Sequence, residues 1–156
     1  MAILNANNLR LFVAGRAAAA TAEPLADRDL LAHAQTATLD ISNSLIDVTT
    51  KDSNSWMEKI SGQKSFSLSS DGLIDYAATT DQNNAVTLAD LAIAGTEVDF
   101  AFGIDTDLDK FGDAGDEYYE GSGFIESFSQ SGGTDDAPTY SISIGSNGAL
   151  TKVTVA

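Results

Sequence analysis

The sequence predicts a mainly β protein, an antiparallel β sandwich or barrel with one flanking α-helix. Several segments alternate apolar and polar residues, which is the period of a half-buried strand. Clusters of Gly, Asn, Asp and Ser separate these segments at short intervals and predict turns. One segment carries the signals that begin and end a helix. The 156 residues suit a single domain, and we expect it to span residues 1–156.

The N-terminal part, residues 1–32, is expected to hold one strand followed by an arm. LRLFVAG (Leu9–Gly15) is apolar and ends in a glycine, which is typical of a strand. The next segment is rich in alanine, but Pro24 interrupts a helix there. We therefore expect a loop or arm with no more than one helical turn.

Two alternating segments flank a turn-rich region. His33–Ile41 and Gln63–Gly72 each place apolar residues at every second position and predict half-buried strands. Residues 42–62 between them are rich in Ser, Asn and Asp, whose side chains hydrogen-bond to nearby backbone groups and disturb regular structure. This segment is predicted to be a long loop.

The only strong helix signal is AVTLADLAIAG, residues 85–95. Thr87 is the predicted N-cap, Asp90 follows three residues later, and Gly95 is the predicted C-cap. Later segments predict an acidic loop and further strands; the strands are Glu97–Ile104, Tyr118–Gln130, Tyr140–Ile144 and Ala149–Val155.

Charge and composition exclude several function classes. The net charge is −15, and residues 65–156 hold sixteen acids against Lys110 and Lys152. A DNA-binding surface needs basic groups opposite phosphates, so this composition argues against DNA binding. The absence of cysteine excludes disulfides, thiolate zinc sites and a cysteine nucleophile. No apolar run approaches the ~20 residues of a membrane span, and MAILNANNLRLFVAGR lacks the pattern of a secretory signal.

Candidate chemical sites are weak. DTDLDKFGDAGD (Asp105–Asp116) has the first three aspartates of a calcium loop, but Lys110 replaces the required glycine and Asp116 the bidentate glutamate. A solvated acidic loop is the favoured interpretation, and an extracellular calcium-binding β-sandwich module stays as an alternative. His33 is the single histidine and no GxSxG sequence accompanies it. We expect no catalytic residues, no cofactor and no enzyme activity.

The segment TATLDISNSLIDVTTKDSNSWMEKISGQKSFSLSSDGLIDY, Thr36–Tyr76, resembles the major tail tube proteins of bacteriophages with long, non-contractile tails, and of related prophages and gene transfer agents. The matching order is a TLDIS-type strand, DVTTKDS, a nearby tryptophan, a glycine after EKI, and SFSLSSDG. The resemblance covers about a quarter of the chain directly and agrees with the length and predicted elements along most of the rest.

The resemblance implies a structural role. Members of this family form a β sandwich with a flanking helix, and six copies close into a ring whose inner strands build a barrel around a channel. Rings stack into a tube that conducts the genome to the host cell. The implied partners are further copies of the chain and the tail tip, tape measure and tail terminator proteins, while DNA passes without specific binding. The implied location is the virion tail, with assembly in the host cytoplasm. The inner tubes of contractile tails and of type VI secretion share the fold and form the nearest alternative.

Two groups of residues then acquire expected roles. A channel that conducts DNA should offer phosphates no counter-charge. The polar faces of the predicted strands supply such a lining: Thr36, Thr38, Asp40, Ser65, Ser67, Ser69, Glu97 and Asp99. The alternative is that these are ordinary outward faces of a sandwich.

The resemblance implies a long loop or hairpin here that reaches a neighbouring subunit or ring. Its lysines are expected to meet acidic surfaces such as those of the C-terminal half, and Trp56 is expected to anchor the contact. The alternative for a lone tryptophan is that it anchors the edge of the core. The expected interface residues are Asp47, Thr49, Lys51, Asp52, Trp56, Lys59 and Lys64.

Overall fold

A computed structural model describes residues 9–16, 25, 28–54, 56–75, 82–105 and 110–156. Within them the chain forms nine strands and one helix. The elements are β1 (Leu9–Gly15), β2 (Asp29–Leu31), β3 (Ala34–Asp47), β4 (Lys59–Leu73), β5 (Gln82–Asn83), α1 (Ala85–Ala94), β6 (Glu97–Ile104), β7 (Glu117–Ser131), β8 (Thr139–Ser146) and β9 (Thr151–Thr154).

The described strands join in one sheet with the order β3-β4-β8-β7-β6-β1-β2-β5, and β9 pairs with the first residues of β7. Neighbouring strands are antiparallel except β2 and β5, which are parallel. The predicted fold class, mainly β and antiparallel with one flanking helix, is confirmed. Strand pairs that lie far apart in sequence, such as β1 with β6, explain why the alternation within each segment does not reveal the strand order.

The main core lies against one face of the sheet and is closed by α1. Every second residue of β1, β4, β6 and β8 points into it, as the predicted alternation requires. The members buried to 2% exposure or less are Leu11, Val13, Leu31, Leu68, Leu88, Val98, Phe100, Tyr140, Ile142 and Ile144.

A second, smaller core lies on the opposite face of β1 and β6. Phe12 packs edge-to-face on Phe111 with ring centroids 5.4 Å apart, and Phe111 stacks on Tyr118 at 4.8 Å. Ala101 is fully buried beneath them. Burial also raises the pKa of Tyr118. β6 is therefore covered on both faces, which the alternation of Glu97–Ile104 did not indicate.

The helix occurs as predicted, but the predicted N-cap is wrong. Asn84 is the N-cap, with extended backbone angles, and its side-chain oxygen accepts from the backbone N–H of Thr87 at 3.0 Å. Thr87 lies inside the first turn, as the residue that donates to the cap. The predicted C-cap Gly95 is confirmed, with a left-handed φ of 62°. No helix in the described part of the chain is long and apolar enough to cross a membrane.

The prediction of a loop over residues 42–62 is wrong at both ends of that range. β3 continues to Asp47, and β4 begins at Lys59, so the two strands form one long hairpin around a tip at residues 48–58. Cross-strand pairing overrides the weak strand propensity of Ser, Asn and Asp. In the predicted arm, Asp29–Leu31 is a short strand, and residues 17–24 lie outside the described part of the chain.

Candidate functional site

One face of the four strands β3, β4, β8 and β7 is covered with hydroxyl side chains. Residues that are directly paired on neighbouring strands share a face of the sheet, so the register defines rows across it. Three rows are Thr38, Ser69, Ser143 and Ser127; Asp40, Ser67, Gly145 and Phe124; and Thr36, Asp71, Ser141 and Ser129. Phe124, 43% exposed, is the one large apolar side chain in these rows. We call this surface the hydroxyl face. It lies opposite the main core, because the alternating residues Leu39, Leu68 and Ile142 point into that core.

The hydroxyl face brings together six of the residues that the sequence singled out. Thr38 pairs with Ser69 and Asp40 with Ser67. Thr36 donates a hydrogen bond from Oγ1 to Asp71 at 3.2 Å. Ser65 continues the same face toward the hairpin, where it pairs with Ser42.

Sequence reasoning missed the contribution of β8 and β7. The alternation in YSISI places Ser141 and Ser143 on the face opposite Tyr140 and Ile142, and this signal was sufficient to find them. β7 gave no such signal. Glu126 is an extra residue in a bulge between Ile125 and Ser127, which shifts the alternation along that strand.

The charges on the hydroxyl face are negative. Asp40 and Asp71 are exposed, and Glu126 lies over Gly145, where an added Cβ would clash with its carboxylate. No lysine or arginine occurs in β7 or β8. The basic residues of β4, Lys59 and Lys64, lie in the part of the strand that leaves the sheet. An anion at this face therefore meets hydroxyls and carboxylates without a positive partner.

The last two residues expected on the same surface, Glu97 and Asp99, form a separate ionic cluster with Arg16. Arg16 holds both: its Nη1 lies 2.7 Å from Glu97 Oε2, and its Nε donates to Asp99 Oδ2 at 3.0 Å. Ser122 Oγ donates to the other oxygen of Asp99 at 2.6 Å. Asp99 is fully buried and Glu97 is partly exposed. Asp99 therefore contributes nothing to the solvent-facing surface of the subunit, because Arg16 covers it. The hydrogen bond to Asp99 raises the pKa of Arg16.

A two-stranded hairpin projects from the edge of the sheet. β4 pairs with β8 from Ser67 to Leu73, whereas from Phe66 to Lys59 its ladder partner is β3. The tip is ordered by its own polar groups. The Thr49 N–H donates to Asp47 Oδ1 at 2.9 Å, the Glu58 N–H donates to Thr49 Oγ1 at 3.0 Å, and the Thr50 N–H donates to Ser53 Oγ at 3.1 Å. The bonds from Thr49 lower the pKa of Asp47.

The projecting hairpin exposes large apolar side chains. Trp56 is 78% and Met57 71% exposed. Further exposed apolar groups lie along both strands: Ile41, Leu45, Ile46, Val48 and Ile60. Trp56 therefore does not anchor the core. The basic residues of the hairpin, Lys51, Lys59 and Lys64, are also exposed. All seven residues expected at an interface lie on this hairpin.

The described residues of the acidic loop and the histidine take no part in either surface. Asp105 is buried, Asp113 and Asp116 lie in a turn, and residues 106–109 lie outside the described part of the chain. The residues that the structure describes contain no group of three or more acidic or histidine side chains able to hold a metal ion. His33 is exposed and lies 3.1 Å from Asp75 Oδ2 through Nε2.

Comparison with known proteins gives one family and one fold. The family model described as phage tail tube protein matches residues 16–152. No curated protein sequence matches this chain.

Several solved structures share this fold. The tail of an empty gene transfer agent particle, with C6 symmetry, matches with a TM-score of 0.73 and 20% identity over 99% of this chain and 100% of that chain. The tail tube of phage SPP1 matches with a TM-score of 0.69 and 16% identity over 99% of this chain and 81% of that chain. The third match is a chain in the sheath/tube terminator structure of PVC, an extracellular contractile injection system. Its TM-score is 0.62, with 13% identity over 98% of both chains.

Proposed function

Because the chain belongs to the phage tail tube protein family, we propose that six copies form a ring and that rings stack into a hollow tube that conducts DNA. The chain is a structural component of a virion tail. The observation that carries the proposal is the hydroxyl face, a four-stranded polar surface that is backed by a continuous apolar core. The sixfold arrangement is taken from the C6 symmetry of the gene transfer agent tail that has the same fold.

Four strands from each of six subunits supply a barrel of useful size. At a strand spacing of ~4.8 Å, 24 strands give a backbone ring about 37 Å across, and more when the strands tilt. The hydroxyl face would line its inside. Of the residues expected there, Thr36, Thr38, Asp40, Ser65, Ser67 and Ser69 stay in the proposal, joined by Asp71, Ser127, Ser129, Ser141 and Ser143. Glu97 lies at the margin, and Asp99 acts behind the surface.

The edges of the four-stranded unit support closure into a ring. β3 is an edge of the described sheet along its full length. The last residues of β7, from Ile125 to Ser131, pair with β8 on one side. Their other side is an open edge of the described sheet, because β6 pairs only with the earlier part of β7. Open edges pair readily with other strands. We propose that β3 of one subunit pairs with this part of β7 in the next.

The proposed lining explains why DNA can move through the tube. Binding of a protein to DNA depends on the neutralisation of phosphates by Lys and Arg. The hydroxyl face carries carboxylates in place of these cations. The phosphates therefore find no counter-charge at the wall, and the polymer slides.

The hairpin is proposed as the contact between subunits. Its exposed Trp56 and Met57 need cover, and a two-stranded ribbon is marginally stable without support. Asp47 and Thr49 hold the shape of the tip, while Lys51, Asp52, Lys59 and Lys64 supply its charges. The variant Lys51→Glu/Trp56→Ala is expected to stay folded and to lose assembly. Normal tubes from this variant would contradict the interface.

The inner tube of a contractile system is the second candidate, favoured by the shared fold of the PVC tube terminator structure. The two candidates differ in whether a sheath protein binds outside the tube. Co-expression with the neighbouring tail genes and electron microscopy of the product distinguish them.

The first test of the proposal is electron microscopy of concentrated, purified protein, alone and with tail-tip components. We expect sixfold rings or hollow tubes. Particles that stay monomeric in both samples would contradict the assembly proposal.

A further inference from the structure

An apolar groove lies at the root of the hairpin, where β3 and β4 leave the sheet. Ile41 and Phe66 line one side, and Tyr119 and Leu150 line the other; its volume is about 620 Å³. Lys64 and Lys152 stand at its rim. The groove is the open end of the main core, because Phe66 belongs to that core and Leu150 packs against it.

The groove contains apolar surface that the described residues leave uncovered. Ile41 is 60% and Tyr119 36% exposed. Patches of this kind mark sites of interaction. The rim is unusual in its charge as well, since Lys152 is one of only two basic residues in the last 92 positions. Its ammonium group pairs with Glu117 at 2.7 Å, and its side chain is about half exposed.

We infer that this groove receives the hairpin tip of a second copy of the chain, with Trp56 and Met57 inserted against Ile41 and Phe66. Glu58, next to Met57, would then face Lys64 or Lys152. The inference rests on the proposed function and names the surface that its hairpin contacts.

The tip and the groove are complementary in chemistry and size. The tip carries the most exposed large aromatic side chain of the described residues, and its charges are mixed, on Lys51, Asp52 and Glu58. Of these, Glu58 adjoins Met57. The groove carries apolar walls and a basic rim. A tryptophan side chain buries roughly 150–250 Å² when covered, and the groove is large enough to hold it.

The occupant must come from another copy. Seven residues separate Phe66, in the groove, from Lys59, where the tip begins, and paired strands rise ~3.3 Å per residue. The ladder from Ile41 to Asp47 therefore holds a subunit's own tip roughly 20 Å from its own groove.

A contact from tip to groove joins two different surfaces. Such a heterologous contact repeats from copy to copy and generates either a closed ring or an open stack. This is the property that a tube subunit needs, and a symmetric contact between two hairpins would lack it.

The absence of cysteine makes the contact directly testable. We would introduce Met57→Cys in the tip and Ala149→Cys at the groove in one chain, assemble it, and oxidise it mildly. Because each disulfide joins a tip to the next groove, we expect a ladder of covalent dimers, trimers and larger species on a non-reducing gel. The matched control is Met57→Cys with Ala94→Cys, which places the second thiol on the exposed end of α1.

Two outcomes would overturn the inference, and they are distinguishable from each other. If microscopy finds rings or tubes, but the groove pair gives no ladder beyond that of the α1 pair, the proposed function stands and the groove is not the receiving surface. If neither rings nor tubes form, alone or with tail-tip components, the proposed function fails and the inference fails with it. A charge reversal tests the proposed contact between Glu58 and Lys64. Lys64→Glu should slow formation of the ladder at least threefold, and Glu58→Lys in the same chain should restore it.

Discussion

The carboxylate of Asp99 is fully buried, and Arg16 is its ionic partner. Removal of one member of a buried pair is costly because the other charge stays without compensation. We expect Arg16→Ala to lower the free energy of unfolding by about 3 kcal/mol, and Arg16→Ala/Asp99→Ala to lower it by less than the sum of the single changes. Urea denaturation of the purified chain measures both values.

The control for this prediction is Lys152→Ala, which breaks an exposed ion pair with Glu117. We expect a change within about 0.5 kcal/mol there. Equal losses for Arg16→Ala and Lys152→Ala would show that burial of Asp99 does not set the strength of its pair.

Tyr140 gives the subunit a dependence on alkaline pH. Its hydroxyl donates to the carbonyl of Ala32 at 3.1 Å, and burial raises its pKa from 10.0 to about 12. Between these two pH values the Tyr140 hydroxyl keeps its proton in the native state, whereas it has lost the proton in the unfolded state. The stabilisation is therefore fully present below pH 10 and is lost as the pH rises through about 12.

We expect Tyr140→Phe to flatten this loss. Denaturation curves at several pH values between 9 and 12 measure the slope, and Tyr119→Phe, at an exposed tyrosine, is the control. An unchanged slope in Tyr140→Phe would mean that another group titrates in this range. At neutral pH the variant should lose about 1 kcal/mol, the value of one hydrogen bond.

At the scale of elements, the start of α1 depends on Asn84. Its side-chain oxygen accepts from both the backbone N–H and the hydroxyl of Thr87. An N-cap residue contributes about 1 kcal/mol relative to alanine. We expect Asn84→Ala to destabilise the chain by about that amount, and Thr87→Ala by clearly less. Thermal unfolding followed by circular dichroism checks the order, and the reverse order would restore Thr87 as the cap.

At this scale, the β3–β4 hairpin contributes to both proposed surfaces, the hydroxyl face and the contact between subunits. Half of it belongs to the sheet and helps to form the hydroxyl face, and the other half projects with its apolar groups exposed. If the projecting half makes the proposed contact between subunits, assembly and folding depend on different halves of one element. Changes near Leu68 should affect the stability of the subunit, whereas changes at the tip should affect association.

For the whole molecule, the location of charge matters more than its sum. Two triple variants with the same net charge test this, because each replaces three acids. The first is Asp40→Lys/Asp71→Lys/Glu126→Lys, on the hydroxyl face. The second, away from it, is Asp113→Lys/Asp135→Lys/Asp136→Lys. We expect the first to bind duplex DNA more tightly, with an affinity that falls as salt rises, because its lysines share one face. Fluorescence anisotropy with a short duplex measures this, and the unaltered chain should not bind. Equal affinities of the two variants would contradict a special role for the hydroxyl face.

Local patterns were enough to predict the fold class, most strand positions, the helix and the paired polar faces of β3 and β4. Alternation of apolar and polar residues is a property of neighbours in sequence, and it predicts which side of a strand is buried whatever lies above it. The order of motifs from Thr36 to Tyr76 was likewise readable along the chain, and the family that it indicated is confirmed.

Contacts between distant residues decided the rest. Arg16 covers Asp99 from 83 positions away, and the second core around Phe111 buries Ala101. Of the polar side of Glu97–Ile104, Asp99 and Ala101 are therefore not surface residues. The pairing of β3 with β4 turned a segment rich in Ser, Asn and Asp into strand, and the loss of β8 as a partner beyond Ser67 made that strand project. The groove beside β9 exists because Phe66 of β4, Tyr119 of β7 and Leu150, just before β9, meet there. None of these relations has a local signal, because burial and pairing depend on which surfaces the folded chain brings together.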